Sequence, residues 1–214
     1  MESIQLRRRD LLGAAVGLSF SAALSAAERL VTPPQAMGPF YPIELPLDQD
    51  NDLTRVAGQS GRAFGPLLDV IGRVLDEAGV PVSGLRLEIW QVNGHGRYHH
   101  PHDDQDKPLD PNFQGFGHTL TAADGSYRFR TIKPVTYPGR APHIHFALVG
   151  RSQRRFYTQM YLAGAPENRD DFLLRRLSAA GQRALVVPLS PGADQTLQGS
   201  FDIVLGKTVL SDRA

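Results

Sequence analysis

Beyond residue 67, apolar and polar positions alternate with a period of two along most of the chain. Asp69-Val70-Ile71-Gly72-Arg73-Val74-Leu75 reads as a strand, and Asp76-Glu77-Ala78-Gly79 as the turn that ends it. Leu85 to Val92 predicts a second strand, with Leu85, Leu87, Ile89 and Gln91 on one face and Trp90 and Val92 on the other. Further strands are expected at Thr119–Thr121, at Ser126–Ile132 after an Asp124-Gly125 turn, and at Ala141–Val149, Phe156–Leu162, Leu185–Leu189 and Gly199–Leu205. Only residues 167–184 change to a helical period, with Phe172, Leu173, Leu177 and Ala180 as a rough apolar stripe. Short strands joined by turns predict a mainly β chain: an antiparallel β-sandwich with long connecting loops and one helix in the C-terminal half.

Residues 28–67 carry no such period. Pro33-Pro34, Gly38-Pro39-Phe40-Tyr41-Pro42 and Pro46 forbid long helices and predict an extended arm around a core built by residues 68–214. One connection, Asn93 to Gly117, is long enough to be functional, and Phe113 and Phe116 argue that it is ordered. Residues 1–27 read as a targeting segment. Arg7-Arg8-Arg9 precedes a small-residue apolar run from Leu11 to Ala27, and Ser25-Ala26-Ala27 is a workable cleavage site. Arg8-Arg9-Asp10-Leu11-Leu12 resembles a twin-arginine signal, which predicts export to a bacterial periplasm in the folded state. The alternative is a retained membrane anchor, for which this run is short and weakly apolar. Contact with a membrane is otherwise not expected.

Charge narrows the partners. Lys and Arg number 23 against 22 Asp and Glu, so the chain has no basic excess with which to bind nucleic acid. It contains no cysteine, which excludes disulfides, thiolate metal sites and a cysteine nucleophile.

The candidate chemistry lies in Tyr137-Pro138-Gly139-Arg140-Ala141-Pro142-His143-Ile144-His145-Phe146. On a strand, residues two apart share a face, so His143 and His145 converge while Ile144, Phe146 and Leu148 line the other side. Two imidazoles on one face suit a metal ion. Further histidines or a carboxylate would favour Zn(II) or Fe(II), whereas a tyrosinate, a hard anionic oxygen donor, would favour Fe(III).

Gly96-Arg97-Tyr98, Pro108-Leu109-Asp110-Pro111-Asn112-Phe113, Asp124 to Pro134, His143-Ile144-His145-Phe146, Thr158-Gln159-Met160-Tyr161 and Phe201-Asp202-Ile203-Val204-Leu205 occur in that order. Together they resemble the intradiol ring-cleavage dioxygenases, most nearly the β subunits of protocatechuate 3,4-dioxygenases, over about residues 68–206. The resemblance implies a non-haem Fe(III) held by Tyr98, Tyr137, His143 and His145, with a solvent hydroxide in the fifth position. It implies a catecholic substrate and O₂ as co-substrate, with cleavage between the two hydroxyl-bearing carbons to a cis,cis-muconate. Tyr98 would stay bound, and Tyr137 would leave as the catechol arrives and take one of its protons. Arg140 would stabilise negative charge developing on the ring, with Gln159 as the amide behind the site. Tyr41, in Gly-Pro-Phe-Tyr-Pro, is a weaker pocket candidate. A homo-oligomer is also possible.

The segment from Tyr137 to His143 is shorter than in the protocatechuate enzymes and lacks their tryptophan, which leaves the substrate open among protocatechuate, catechol, hydroxyquinol and larger catechols. The helical N-terminal region of catechol 1,2-dioxygenases has no counterpart here, and the familiar members of the family are not exported. Tyr127 and Tyr161 are expected in the core. His95, His99, His100, His102 and His118 follow no ligand template and are expected on a solvated loop. Two alternatives stand beside the dioxygenase. A non-catalytic transthyretin-like module would need neither Tyr98 nor the histidine pair. A cupin-like enzyme would need a third histidine and a carboxylate, and no histidine follows His145.

Overall fold

A computed structural model describes residues 29–150 and 155–207. The targeting segment predicted at residues 1–27 lies outside these. Among the described residues, no helix is long and apolar enough to cross a membrane.

Among the described residues, ten strands form two sheets. In chain order they are β1 (Leu67–Asp76), β2 (Arg86–Trp90), β3 (Phe116–Leu120), β4 (Ser126–Ile132), β5 (His143–Val149), β6 (Arg155–Leu162), β7 (Val186–Val187), β8 (Leu189–Pro191), β9 (Leu197–Ser200) and β10 (Ile203–Leu205). One sheet is built on β1, which pairs antiparallel with β4 on one side and parallel with β9 and β10 on the other; β8 extends it beyond β9. The other runs β3-β2-β5-β6-β7 and is antiparallel until β7 joins β6 in parallel.

The expected purely antiparallel arrangement is therefore corrected to two mixed sheets. Turn signals report neighbouring hairpins, whereas parallel partners return through long crossovers that leave no local mark. Alternation along β1 and β4 has a direct physical result. Leu68, Val70, Tyr127 and Phe129 turn inward, while Asp69 faces outward and takes Arg128 and Arg130 of β4, with a closest approach of 2.8 Å. Side chains from both sheets meet in one apolar cluster, in which Ile144, Phe146 and Leu148 lie as expected. Gly72 is required where β1 meets the break between β9 and β10, because a Cβ there would stand 2.0 Å from the Phe201 carbonyl oxygen.

The helix expected over 167–184 is also corrected. Pro166–Arg169 and Leu174–Arg176 are separate 3₁₀ turns, and only Ala179–Leu185 is α-helical (α1). The Asp171 carboxylate takes the backbone N–H groups of Leu173 and Leu174, Leu177 is extended, and Ser178 caps α1 by accepting from Gly181 N. Side-chain acceptors here compete with the helix for its own backbone. Leu185 closes α1 instead of opening a strand, and Phe201-Asp202 divides the expected last strand into β9 and β10.

Candidate metal centre

The site forms on the face of β2, β5 and β6 that points away from the shared core. Register aligns Trp90 with His145, His145 with Gln159, and His143 with Tyr161 across the three strands. All five side chains are buried. A second aromatic cluster of Trp90, Tyr98 and Phe116, with Phe40 and Tyr137 packed against it, roofs this face. The arm crosses on top. Gly38 adopts φ +76°, and a Cβ there would lie 3.2 Å from His145 Cε1, so only glycine suits both the backbone and the approach.

Tyr98, Tyr137, His143 and His145 come together as a ring of rings. The Nε2 atoms of His143 and His145 are 3.1 Å apart. Ring centroids lie 5.5 Å apart for Tyr137 and His143, 5.5 Å for Tyr98 and Tyr137, and 6.3 Å for Tyr98 and His145. His143 Nδ1 faces the Ala141 carbonyl at 2.6 Å. A carbonyl only accepts, so the proton is on Nδ1 and the Nε2 lone pair faces His145, the usual disposition of a ligating imidazole. Trp90 stacks on His145 at 4.8 Å and holds its plane.

Burial, with the positive charge of Arg140 adding to it, lowers the His143 pKa to about 3. Burial, His143 and Arg140 push His145 well below its ordinary value. Both imidazoles are neutral at physiological pH and free to donate lone pairs. The phenols move the other way. Tyr98 is raised well above its ordinary value by burial and by the adjacent Tyr137, and its hydroxyl is buried without a hydrogen-bond partner. Tyr137 is raised by burial, against the opposing pull of Arg140. An unpartnered buried phenol is costly, and a multiply charged cation that replaces its proton removes that cost. These four donors fit Fe(III). Among the described residues no three of His, Asp or Glu converge on one point, which leaves the cupin-like ligand set without its members.

Arg140 stands beside the phenols in a fully partnered frame. Its Nη1 faces the Tyr137 hydroxyl at 3.4 Å, and Nη2 donates to Gln159 Oε1 at 2.6 Å and to the Tyr161 hydroxyl at 3.0 Å. Nε donates to Asp171 Oδ2 at 2.8 Å. Gln159 is fixed in turn, donating from Nε2 to the Ala36 carbonyl at 2.9 Å.

Comparison with known proteins bears directly on this constellation. A family model described as dioxygenase matches residues 36–207. The protocatechuate 3,4-dioxygenase β chain of Burkholderia cepacia is 44% identical over 169 residues, 73% of this chain and 71% of that one. The chain belongs to the intradiol ring-cleavage dioxygenase family. Hydroxyquinol 1,2-dioxygenase of Rhizobium sp. (strain MTP-10005) is 34% identical over 120 residues, 48% of this chain, but the match spans only 39% of that relative. Among solved structures, the dioxygenase domain of a dioxygenase carbohydrate-binding protein fusion from Streptomyces sp. SirexAA-E superposes with a TM-score of 0.64. That domain is 32% identical, and the match covers 82% of this chain and 98% of that one.

As a member of this family, the chain differs from expectation at several side chains. Tyr41 does not face the four donors; its hydroxyl donates to Glu88 at 2.9 Å, and its ring packs edge-on to Trp90 and Phe116. Its neighbour Phe40 takes the inward place, stacked on Tyr98 at 4.6 Å. Tyr127 is in the core, where its hydroxyl donates to the Phe201 carbonyl. Tyr161 is buried as expected, yet its hydroxyl belongs to the Arg140 frame. His95 stacks on Phe64, His100 is buried under Phe40, and His99 and His102 are exposed. A cavity of about 620 Å³ opens between arm and long loop, lined by Tyr98 together with Phe40, Trp90, His100, Leu109 and Phe116. Asp171 escaped the sequence reading because adjacent acids in a charged, helix-like stretch look solvated.

Proposed function

We propose that this chain is a non-haem Fe(III) intradiol dioxygenase that opens a catecholic ring between its hydroxyl-bearing carbons with O₂, giving a cis,cis-muconate. The observation that carries this is the convergence of two neutral imidazoles with a half-buried phenol, Tyr137, and a buried one, Tyr98, which has no hydrogen-bond partner. Tyr98, Tyr137, His143 and His145 would hold the ion. When bound, Fe(III) would supply the Lewis acidity that makes a coordinated catechol reactive towards O₂.

The chain's own groups have separable tasks. Tyr137 Oη would take up one catechol proton, and Arg140 Nη1, 3.4 Å away, lies within reach of that oxygen. The guanidinium is a buried, fixed cation beside the phenols, placed to meet negative charge growing on the ring, an arrangement worth about 3–4 kcal/mol where it has been dissected in other enzymes. Gln159 and Tyr161 hold that cation, and Trp90 and Phe40 keep water from the donors. The shared apolar cluster supports the β-sandwich arrangement of the two sheets. The short Pro138–Pro142 segment supports a pocket open to substituted catechols. The Arg8-Arg9 segment supports export of the folded protein.

The test uses purified protein supplied with iron. One Fe(III) per chain, a visible tyrosinate-to-iron absorption band that shifts with catechol, and O₂ uptake with a member of a panel of catechol, protocatechuate, hydroxyquinol and bulkier catechols are expected. A colourless protein that retains no stoichiometric iron would overturn the proposal.

A further inference from the structure

We infer that Asp171 is the positioning residue of this site, one carboxylate that orients both the Arg140 guanidinium and Ala141, whose carbonyl aims His143; the inference rests on the function proposed above. Asp171 is 1% exposed and comes from the segment between the two 3₁₀ turns, far from Arg140 in sequence. Its two oxygens have separate duties. Oδ1 accepts from Leu173 N and Leu174 N, both at 3.0 Å, which anchors the carboxylate to its own backbone, and faces the Tyr161 hydroxyl at 3.4 Å. Oδ2 accepts from Arg140 Nε at 2.8 Å and from Ala141 N at 3.0 Å.

The second pair links Asp171 to the donors. With Nε held, the guanidinium plane has little freedom to rotate, and Nη1 and Nη2 are left facing Tyr137 and Gln159. With Ala141 N held, the same residue presents its carbonyl to His143 Nδ1 at 2.6 Å, which sets the tautomer and the direction of Nε2. The turn between them is otherwise slight. Arg140 N donates to Tyr137 O at 3.0 Å, and Thr136 Oγ1 donates to Arg140 O at 2.6 Å. A turn this short, with Gly139 in it, has no core of its own to define it, so its geometry is imposed from outside by the distant carboxylate. Burial alone would raise the Asp171 pKa, but the Leu174 N–H, Arg140 and Ala141 N–H outweigh it, and the group remains an anion.

Asp171→Asn removes one of the two paired acceptors while keeping the shape. Iron-loaded Asp171→Asn is expected to keep its iron and lose about 10- to 100-fold in kcat with little change in KM, the scale seen when groups that orient metal ligands are removed. Asp170→Asn, at the exposed neighbour, is the control. Because Asp171 acts partly through Arg140, Asp171→Asn should cost less in the Arg140→Ala background than in the wild type; fully multiplied losses would overturn the inference. Asp171→Glu keeps the charge but moves the carboxylate, and serves if the amide variant does not fold. Loss of about 10-fold in kcat is expected, and wild-type turnover would show that charge rather than position matters. A readout independent of iron is the downfield, slowly exchanging His143 Nδ1–H proton resonance in metal-free protein. It should weaken or vanish in Asp171→Asn and persist in Asp170→Asn. Persistence in both would overturn the inference, whereas absence of iron from the wild type would instead defeat the proposed function.

Discussion

The two flanks of the metal centre are built on opposite principles. Around Arg140 the polar contacts are closed: guanidinium, Gln159, Tyr161 and Asp171 satisfy one another among buried atoms. Around Tyr98 they are open. The Tyr98 hydroxyl, His145 Nδ1, Trp90 Nε1 and His100 Nε2 are all buried without a partner. Buried polar groups are rarely left so, and a concentration of them marks a place where something other than protein completes the bonding. The closed flank is finished before any ligand arrives; the open flank is held ready by aromatic packing, at a cost to the folded state.

The strongest way to break this contrast is to remove donors. His145→Ala and Tyr98→Phe are each expected to abolish stoichiometric iron and all turnover, read by metal analysis and the tyrosinate absorption band. The same Tyr98→Phe protein, freed of an unsatisfied hydroxyl, should be at least as stable as the wild type when both are metal-free. Loss of metal-free stability would place Tyr98 among ordinary core residues.

Arg140→Ala should give the reverse pattern. Iron should remain, kcat should fall about 10²- to 10³-fold, and the metal-free protein should lose about 3 kcal/mol in denaturant unfolding because Asp171 is left as a lone buried anion. Wild-type turnover in this variant would remove Arg140 from the chemistry.

Acid offers a gentler probe. His143 titrates near 3 in the folded chain and near its ordinary value of about 6.5 unfolded, and His145 is shifted the same way. Between those values the unfolded state binds more protons, so lowering the pH from 7 towards 4 should destabilise metal-free protein. Each histidine contributes up to about 1.4 kcal/mol per pH unit. A flat stability profile across that range would mean that the pair is not neutral and buried together. The smallest effect expected is that of Tyr41→Phe. Removing the bond to Glu88 should cost about 1 kcal/mol of stability, with iron content unchanged, since that ring faces away from the donors.

What could be read from the sequence follows the range over which a signal acts. The faces of β5 were legible because alternation is a property of adjacent residues; His143 and His145 fell on one side and Ile144 and Phe146 on the other, as expected. Tyr98 was not legible from spacing at all. It lies on a loop with no period, and only likeness to a family singled it out. In Gly-Pro-Phe-Tyr-Pro the motif was recognised, but the inward aromatic is Phe40, because which of two neighbours turns in is decided by packing against Tyr98 and Glu88. Asp171 and the parallel partners of β1 share one reason for being missed. Each acts between segments far apart in the chain, where local pattern carries no information.

The pairing of β1 with β9 and β10 has a consequence for how the molecule is made. β1 is among the first parts of the domain to be synthesised, and Leu197–Ser200 and Ile203–Leu205 are among the last. Until they emerge, one edge of β1 has no partner, and neither does the Tyr127 hydroxyl that will reach Phe201. Contacts this distant in sequence form slowly, since a long loop must close before they are rewarded. The sheet built on β1 is therefore complete only once Leu205 is available to pair. A truncation before Leu197 would not trim a tail; it would unpair β1 at the centre of a sheet.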